Sequence, residues 1–351
     1  MRHNSRVLPL PQAATRFGLC SALALVWLTA SAFADSETNS AAAPAWTNLV
    51  VGRVWPTNMP SQAVASSNQP SPPGTGAEVR EALRQIMAHD DAAQAEADRL
   101  LQENTRLRTQ ASAALDEELQ LRIRARFIAV RGEYQQFLAR HPEDVEALLA
   151  YGGLLSDLGD DAGAAEQWEK ARELAPTNPA TWNNLANYYA ANQNELKAFS
   201  YYEKAVTLTT NNASYLRNLG FAIINLRSNA MRYYALGEPA TLEKGLFLLQ
   251  SAQKSLTSDF ALATEIGQVL YALKPLRTNE LLAAWSRALD LAGDEVERQS
   301  VRLHLARANL FVGRPQVASE WLAGVTNAAF AELRQQLQAQ LAQAPQPAGS
   351  K

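Results

Sequence analysis

One cysteine among 351 residues, Cys20, excludes a disulfide framework and a thiolate metal centre. Histidine is nearly as scarce. His89, His141 and His304 stand far apart, and none has a second metal-type ligand at the helical spacing of a zinc site. Neither sign of charge dominates: 32 basic and 35 acidic residues leave a formal charge of -3, without the excess that marks a nucleic-acid-binding chain. Glycine (17) and proline (16) are too few for a collagen-like protein, and 47% hydrophobic residues are too many for a wholly disordered one. The phosphate-cradling G-x-x-x-x-G-K-[ST], the metalloprotease H-E-x-x-H and the nucleophile elbow G-x-S-x-G are all missing. Acid pairs such as Asp90-Asp91 and Asp160-Asp161 read as solvated charge or helix caps. No catalytic residue, cofactor or metal is expected, and the chain is not read as an enzyme.

The first 34 residues have a different character. Arg2, Arg6 and Arg16 precede an apolar run from Leu19 to Phe33, which closes on Ala32-Phe33-Ala34 before Asp35. A positive flank, a short apolar core and small residues at an A-x-A site form a secretory signal pattern. The run is shorter than the roughly 20 residues a spanning helix needs. Cleavage after Ala34 is expected, with a retained anchor as the lesser reading, placing the protein in the periplasm or otherwise outside the cytoplasm. The remainder holds 29 basic and 35 acidic residues and no cysteine. Residues 35–76 are rich in Ser, Ala, Pro, Asn and Thr and read as a flexible linker. Within them the patch from Trp46 to Pro56 is either a short segment lying on the body or a docking motif.

From Val145 onward the sequence repeats at 34 residues. Leu148, Tyr151, Gly152, Leu155, Ala164, Trp168, Ala171 and Pro176 recur as Trp182, Leu185, Ala186, Tyr189, Ala198, Tyr202, Ala205 and Thr210. Trp182-x2-Leu185-Ala186-x2-Tyr189 followed by Ala198-x3-Tyr202 resembles the tetratricopeptide repeat, W-x2-L-G-x2-Y…A-x3-F…P. A third repeat follows through Leu216, Leu219, Gly220 and Ile223. Its second helix comes only at Gly245, Leu249 and Ala252, after an insert over 227–242 read as an extended first helix and a loop at Gly237-Glu238-Pro239. A fourth runs through Ile266, Gly267, Leu270, Leu281, Trp285 and Ala288, and a fifth through Leu305, Ala306, Gly313, Ala318 and Leu322. Phe330, Leu333, Leu337 and Leu341 make one face of a closing helix. The resemblance implies an all-α fold, a right-handed α-solenoid of about five helix-turn-helix repeats over 144–326 with a C-terminal capping helix over 327–345.

Residues 77–143 precede the repeats. Val79, Leu83, Ile86, Ala93, Ala97, Leu100, Leu107, Ala111, Ala114 and Leu121 follow alternating steps of three and four, with Asp90, Asn104 and Glu118 in the remaining seam positions. Two arrangements fit this seam. One is a two-stranded coiled coil making a homodimer through 77–121, with Asn104 fixing register. The other is a helical hairpin folded on the first repeat.

The resemblance also implies a ligand surface, because the family's first helices line a concave groove. Its groove positions fall here on Glu146, Leu149 and Asp157, then on Asn183, Asn184 and Asn187. They continue on Arg217, Asn218, Phe221 and Asn225, on Glu265, Gln268 and Tyr271, and on Leu303, Arg307 and Phe311. Of these, Asn183, Asn184, Asn187, Arg217, Asn218, Phe221, Asn225, Gln268, Tyr271 and Arg307 are the candidate peptide-binding residues. Asparagine amides offer the donors and acceptors that an extended backbone needs. Family members that grip a terminal carboxylate use cations where this chain has Asn183, Ala261 and Glu265, leaving Arg217 alone for that role. His304 is expected as a solvated groove histidine. The expected function is an exported scaffold or adaptor that binds protein or peptide in cell-envelope assembly, with no nucleic-acid partner and no membrane span after signal cleavage. The alternative is a glycan or small-molecule site on the aromatics of the 227–242 insert.

Overall fold

The computed structural model describes residues 75–107 and 113–343, with side chains described over 76–100 and from 121 to 343 except Arg124. The signal pattern, most of the linker and the 46–56 patch lie outside the described residues, as do the side chains of Asn104, Leu107, Ala111 and Ala114. Every regular element among the described residues is helical, and the fold is all-α. No described helix is long and apolar enough to cross a membrane. The chain divides into two compact units, one extending to Ala191 and the other beginning at Asn192.

In the first unit α1 (Thr75–Leu107) and α2 (Ala113–Arg140) form an antiparallel hairpin. Direction follows from the pairings, since Asp90 meets Tyr134 while Glu96 meets Arg126. Leu83, Ile86, Ala93, Ala97 and Leu100 are buried on α1, as are Phe127, Val130, Tyr134 and Phe137 on α2. The three-four seam is therefore closed inside one chain over 83–100, and the hairpin, not the coiled coil, is the arrangement found. The surface proposed for a homodimer through 77–121 is covered in this stretch, and Leu121, expected as its last rung, is 58% exposed. Asp90 also departs from expectation. It is buried on the seam and accepts hydrogen bonds from Tyr134 Oη at 3.2 Å and Gln94 Nε2 at 3.3 Å.

The first repeat follows as α3 (Val145–Asp157) and α4 (Asp161–Leu174), and α5 (Pro179–Ala191) opens the second. Each start is set by a short polar side chain taking an otherwise orphan backbone N–H. Asp144 Oδ1 accepts from Ala147 N at 2.9 Å, Asp160 Oδ1 from Gly163 N at 3.1 Å, and Asn178 Oδ1 from Ala180 N at 3.0 Å. Gly159 turns the chain between α3 and α4 with φ 81, a conformation that glycine adopts freely. Replacing Asp160 with alanine is expected to lower stability by about 1 kcal/mol in a denaturant titration, the usual effect of a lost N-cap. An unchanged midpoint would show that water satisfies the α4 terminus as well as the carboxylate does.

Packing in this repeat is small against large. A Cβ placed on Gly152 of α3 would fall 2.3 Å from Trp168 Nε1 of α4, and that indole donates to Leu149 O at 3.2 Å. Ala186 on α5 is fully buried. Close helix approach at these positions is what the repeat motif encodes.

The second unit contains α6 (Glu195–Leu208), α7 (Ala213–Asn225), α8 (Arg227–Tyr234), α9 (Glu238–Gln253), α10 (Phe260–Ala272), α11 (Thr278–Leu291), α12 (Glu295–Phe311) and α13 (Pro315–Ala323). A 3-10 turn, Ala328–Phe330, leads into α14 (Ala331–Gln343). Small residues again mark the crossings. A Cβ on Gly220 of α7 would meet Gly245 O of α9 at 3.1 Å, and one on Gly267 of α10 would meet the fully buried Trp285 of α11 at 2.6 Å. Phe330, Leu333 and Leu337 bury the face of the closing helix with Leu303, Ala306, Ala318, Leu322 and Val325.

The insert differs from the expected extended first helix. The chain leaves α7 at Leu226, with φ -101 and ψ 38, and starts a separate helix, α8. Asn225 contributes to this break by donating from its side chain to Phe221 O at 2.9 Å, the local backbone capture that suits asparagine to helix ends. Pro239, expected in a loop, sits in the first turn of α9, where its missing N–H leaves nothing unpaired.

Candidate functional site

Three first helices of the second unit, α7, α10 and α12, are tied side by side. Arg217 on α7 reaches Asp259, the N-cap of α10, at 3.3 Å and Glu265 on α10 at 3.0 Å. Tyr271 on α10 donates its hydroxyl to His304 O on α12 at 2.8 Å. Together they present a wall with an acidic patch at one end and an aromatic, cationic patch at the other.

At the acidic end, Arg217 does not stand ready for a ligand carboxylate, because Asp259 and Glu265 already compensate it. This corrects the role expected of it. Burial holds the Glu265 carboxyl above the ordinary range against the opposing pull of Arg217, and Glu265 Oε2 is buried without a hydrogen-bond partner. Asn218 is also corrected. It is 5% exposed and lies on the stripe Tyr215, Asn218, Ala222, so the helix approach that buries Ala222 buries the amide too. Asn225 and Gln268 are exposed, and Phe221 is half-buried.

At the other end, Arg307 lies over the ring of Tyr271 at 4.7 Å and near that of Phe311 at 5.5 Å, and the two rings meet edge to face at 5.8 Å. Phe311 is 52% exposed. His304 is not the solvated histidine expected from its groove position. It is 6% exposed and stacked on Trp285 at 3.7 Å with an interplanar angle of 6°. Burial, with Arg307 nearby, pushes its imidazole down to about 3, so it is neutral near pH 7.

The first unit holds the other candidates. On α5, Asn183 is 3% exposed and donates to Asn184 Oδ1 at 3.4 Å. It shares a buried stripe with Ala186 and Ala190, which removes it from the ligand surface for the same reason as Asn218. Asn184 and Asn187 are half-buried. Asp157, another expected groove position, is covered by the hairpin and accepts from Gln94 Nε2 of α1 at 3.2 Å. Sequence reasoning missed this polar cluster of Asp90, Gln94, Tyr134 and Asp157. The signal in the sequence is Asp90, an acid at a seam position between Ile86 and Ala93.

The insert offers no aromatic platform. Tyr233 and Tyr234 pack edge to face at 4.8 Å and both lie against Phe199, at 5.4 and 5.9 Å. Tyr233 donates to Glu203, and Lys244 covers the Tyr234 ring at 4.4 Å. These rings fix α8 to its neighbours instead of facing a sugar. No three metal-ligating side chains converge among the described residues.

No family model matches the sequence, and no curated protein matches it. Solved structures do match. The tetratricopeptide-repeat protein YrrB, described as having an unusual peptide-binding site, is 16% identical, aligning 59% of this chain and 97% of its own with a TM-score of 0.47. PilF of Pseudomonas aeruginosa is 14% identical over 72% of this chain and 99% of its own, at a TM-score of 0.49. PilW, a type IV pilus biogenesis factor, is 13% identical over 65% and 100%, at 0.47. These are likenesses of fold. By its repeated motif, its helix pairs and the glycine-on-tryptophan crossings within them, the chain is an all-α helical-repeat protein whose fold resembles that of tetratricopeptide-repeat proteins.

Proposed function

We propose that this protein is an exported scaffold, without catalytic activity, that holds a polypeptide partner in extended form during cell-envelope assembly. The observation that carries the reading is the wall of α7, α10 and α12, where exposed Asn225 and Gln268 stand beside the half-buried rings of Phe221 and Tyr271. Amides answer backbone donors and acceptors, and aromatic faces supply apolar contact at low conformational cost. Export rests on the signal pattern of residues 1–34, and the envelope setting on export.

A photo-crosslinking side chain placed at Gln268 tests this against the same group at Ala283, an exposed position on α11. In cells, Gln268 is expected to yield discrete polypeptide adducts and Ala283 none. Adducts at Ala283 alone would move the binding surface off the wall. Absence of adducts at both would remove the scaffold reading.

A further inference from the structure

Among the described residues, every half-buried arginine but one touches an acid or a backbone carbonyl. Arg131, Arg172, Arg217, Arg227, Arg277, Arg298 and Arg302 each pair with a carboxylate, while Arg287 and Arg334 donate to carbonyl oxygens. Arg307 has neither. Its only close company is aromatic, Tyr271 at 4.7 Å and Phe311 at 5.5 Å from the guanidinium carbon. A partly desolvated cation held this way is only partly compensated, since a ring face replaces some of its hydration and none of its hydrogen bonds.

The surroundings pre-set its geometry. Tyr271 is anchored by its hydroxyl to His304 O at 2.8 Å, and its ring lies 6.0 Å from that of Trp285, so the surface on which the guanidinium rests is fixed. With rings and not acceptors beside it, the guanidinium keeps N–H donors for a planar, two-oxygen acceptor, which a carboxylate supplies bidentately. Beside it Phe311 exposes half its surface, an apolar contact for the ligand residue next to the acid.

Resting on the reading that this wall holds a polypeptide, we infer that Arg307, Tyr271 and Phe311 form a subsite for an internal Asp or Glu side chain of the partner, flanked there by an apolar residue. An internal acid is favoured over a chain terminus because the wall continues on both sides of Arg307, to Phe311 one way and to Gln268 the other. The acid cannot sit at the opposite end. There Asp259 and Glu265 outnumber Arg217, and Glu265 Oε2 has no donor of its own. Glu265 and Tyr271 are six residues apart on α10, about 9 Å along the axis, or roughly three residues of extended ligand.

The test is selection from a random twelve-residue peptide library, fused at both ends so that no free carboxylate is present, on the full chain and on Arg307→Gln. The wild type is expected to enrich Asp or Glu beside an apolar residue by about fivefold over the input, the effect of one charge-assisted hydrogen-bonded pair. Arg307→Gln is expected to select peptides without that enrichment, and Phe311→Ala to retain the acid while losing the apolar neighbour. Equal acid enrichment by wild type and Arg307→Gln, or binders with no acid preference, would overturn the subsite and leave polypeptide binding intact. Binders arising only from a parallel library with free C-termini would assign Arg307 to a terminal carboxylate instead. Recovery of no binders by wild type would remove both readings.

Discussion

Gly152→Ala is expected to destabilise the first unit by about 3 kcal/mol, whereas Gly153→Ala, one residue on, is expected to stabilise it by about 0.5–1 kcal/mol. Both glycines lie inside α3, and the helix propensity gained is the same. What differs is the neighbour. A methyl at 152 would lie 2.3 Å from Trp168 Nε1 and 2.6 Å from its Cδ1, inside a rigid ring, while nothing lies within 4 Å of a methyl at 153. Trp168 is 6% exposed, so its ring has little room to retreat, and any shift also weakens its 3.2 Å bond to Leu149 O. Urea titration followed by hydrogen exchange over α3 and α4 reads both variants. Combining Gly152→Ala with Trp168→Leu should recover much of the loss, because the two substitutions act on one contact. Two glycine variants of equal stability, or full additivity in the double variant, would mean that the crossing does not depend on this fit. Gly267 and Trp285 repeat the arrangement in the second unit, where the added methyl would meet Trp285 Cε2 at 2.6 Å.

That contact was legible in the sequence for a physical reason. A small residue in each first helix, with a large aromatic in the helix that follows it, only makes sense if the two helices approach closely at each recurrence. Gly152 with Trp168 and Gly267 with Trp285 follow from that rule, as does the buried stripe of Phe330, Leu333 and Leu337 on the closing helix. The candidate ligand surface was less legible. Periodicity assigns a residue to a face of its helix, but whether a neighbouring helix then covers that face depends on spacing that no single position records. Asn183 and Asn218 lie on the expected side of their helices and are nonetheless enclosed, and His304 is buried against Trp285 of the preceding helix. Arg217 and Arg307 look alike as letters at groove positions. Only three-dimensional packing distinguishes one held by two acids from one resting on two rings. The break at Leu226 is not legible in the sequence, because an asparagine near a helix end and one on a helix face carry the same pattern.

Burial of ionisable groups in each unit leads to the second large effect: lowering the pH from 7.5 to 5 should move the stabilities of the two units in opposite directions. In the first unit, burial pushes the Asp157 carboxyl up to about 7, with Asp90 and Asp98 adding repulsion, and pushes Asp90 up to about 6, with Asp91 adding to it. Gln94 donates an amide N–H to each carboxylate, at 3.3 and 3.2 Å, and for both burial is the larger effect. The unfolded chain binds these protons only near pH 4, so between about 4 and 7 the folded unit holds more protons. Its stability therefore rises as pH falls, by up to about 1.4 kcal/mol per pH unit for each proton taken up. In the second unit His304 has the opposite sign. Its folded value of about 3 lies below the ordinary 6.5, so the unfolded chain protonates first and stability is lost below pH 6.5, by about 2 kcal/mol at pH 5. Glu265, held above its ordinary value by burial, works against this loss at the acid end. Hydrogen exchange at the two pH values, corrected for intrinsic rates, should show slower opening of α1 over 83–100 and faster opening of α11 and α12. Asp90→Asn should flatten the first slope and His304→Phe, which keeps an aromatic ring on Trp285, the second. A common slope in both units, unaffected by either substitution, would mean that these groups titrate as they do in the unfolded chain and are not held in the buried environments described.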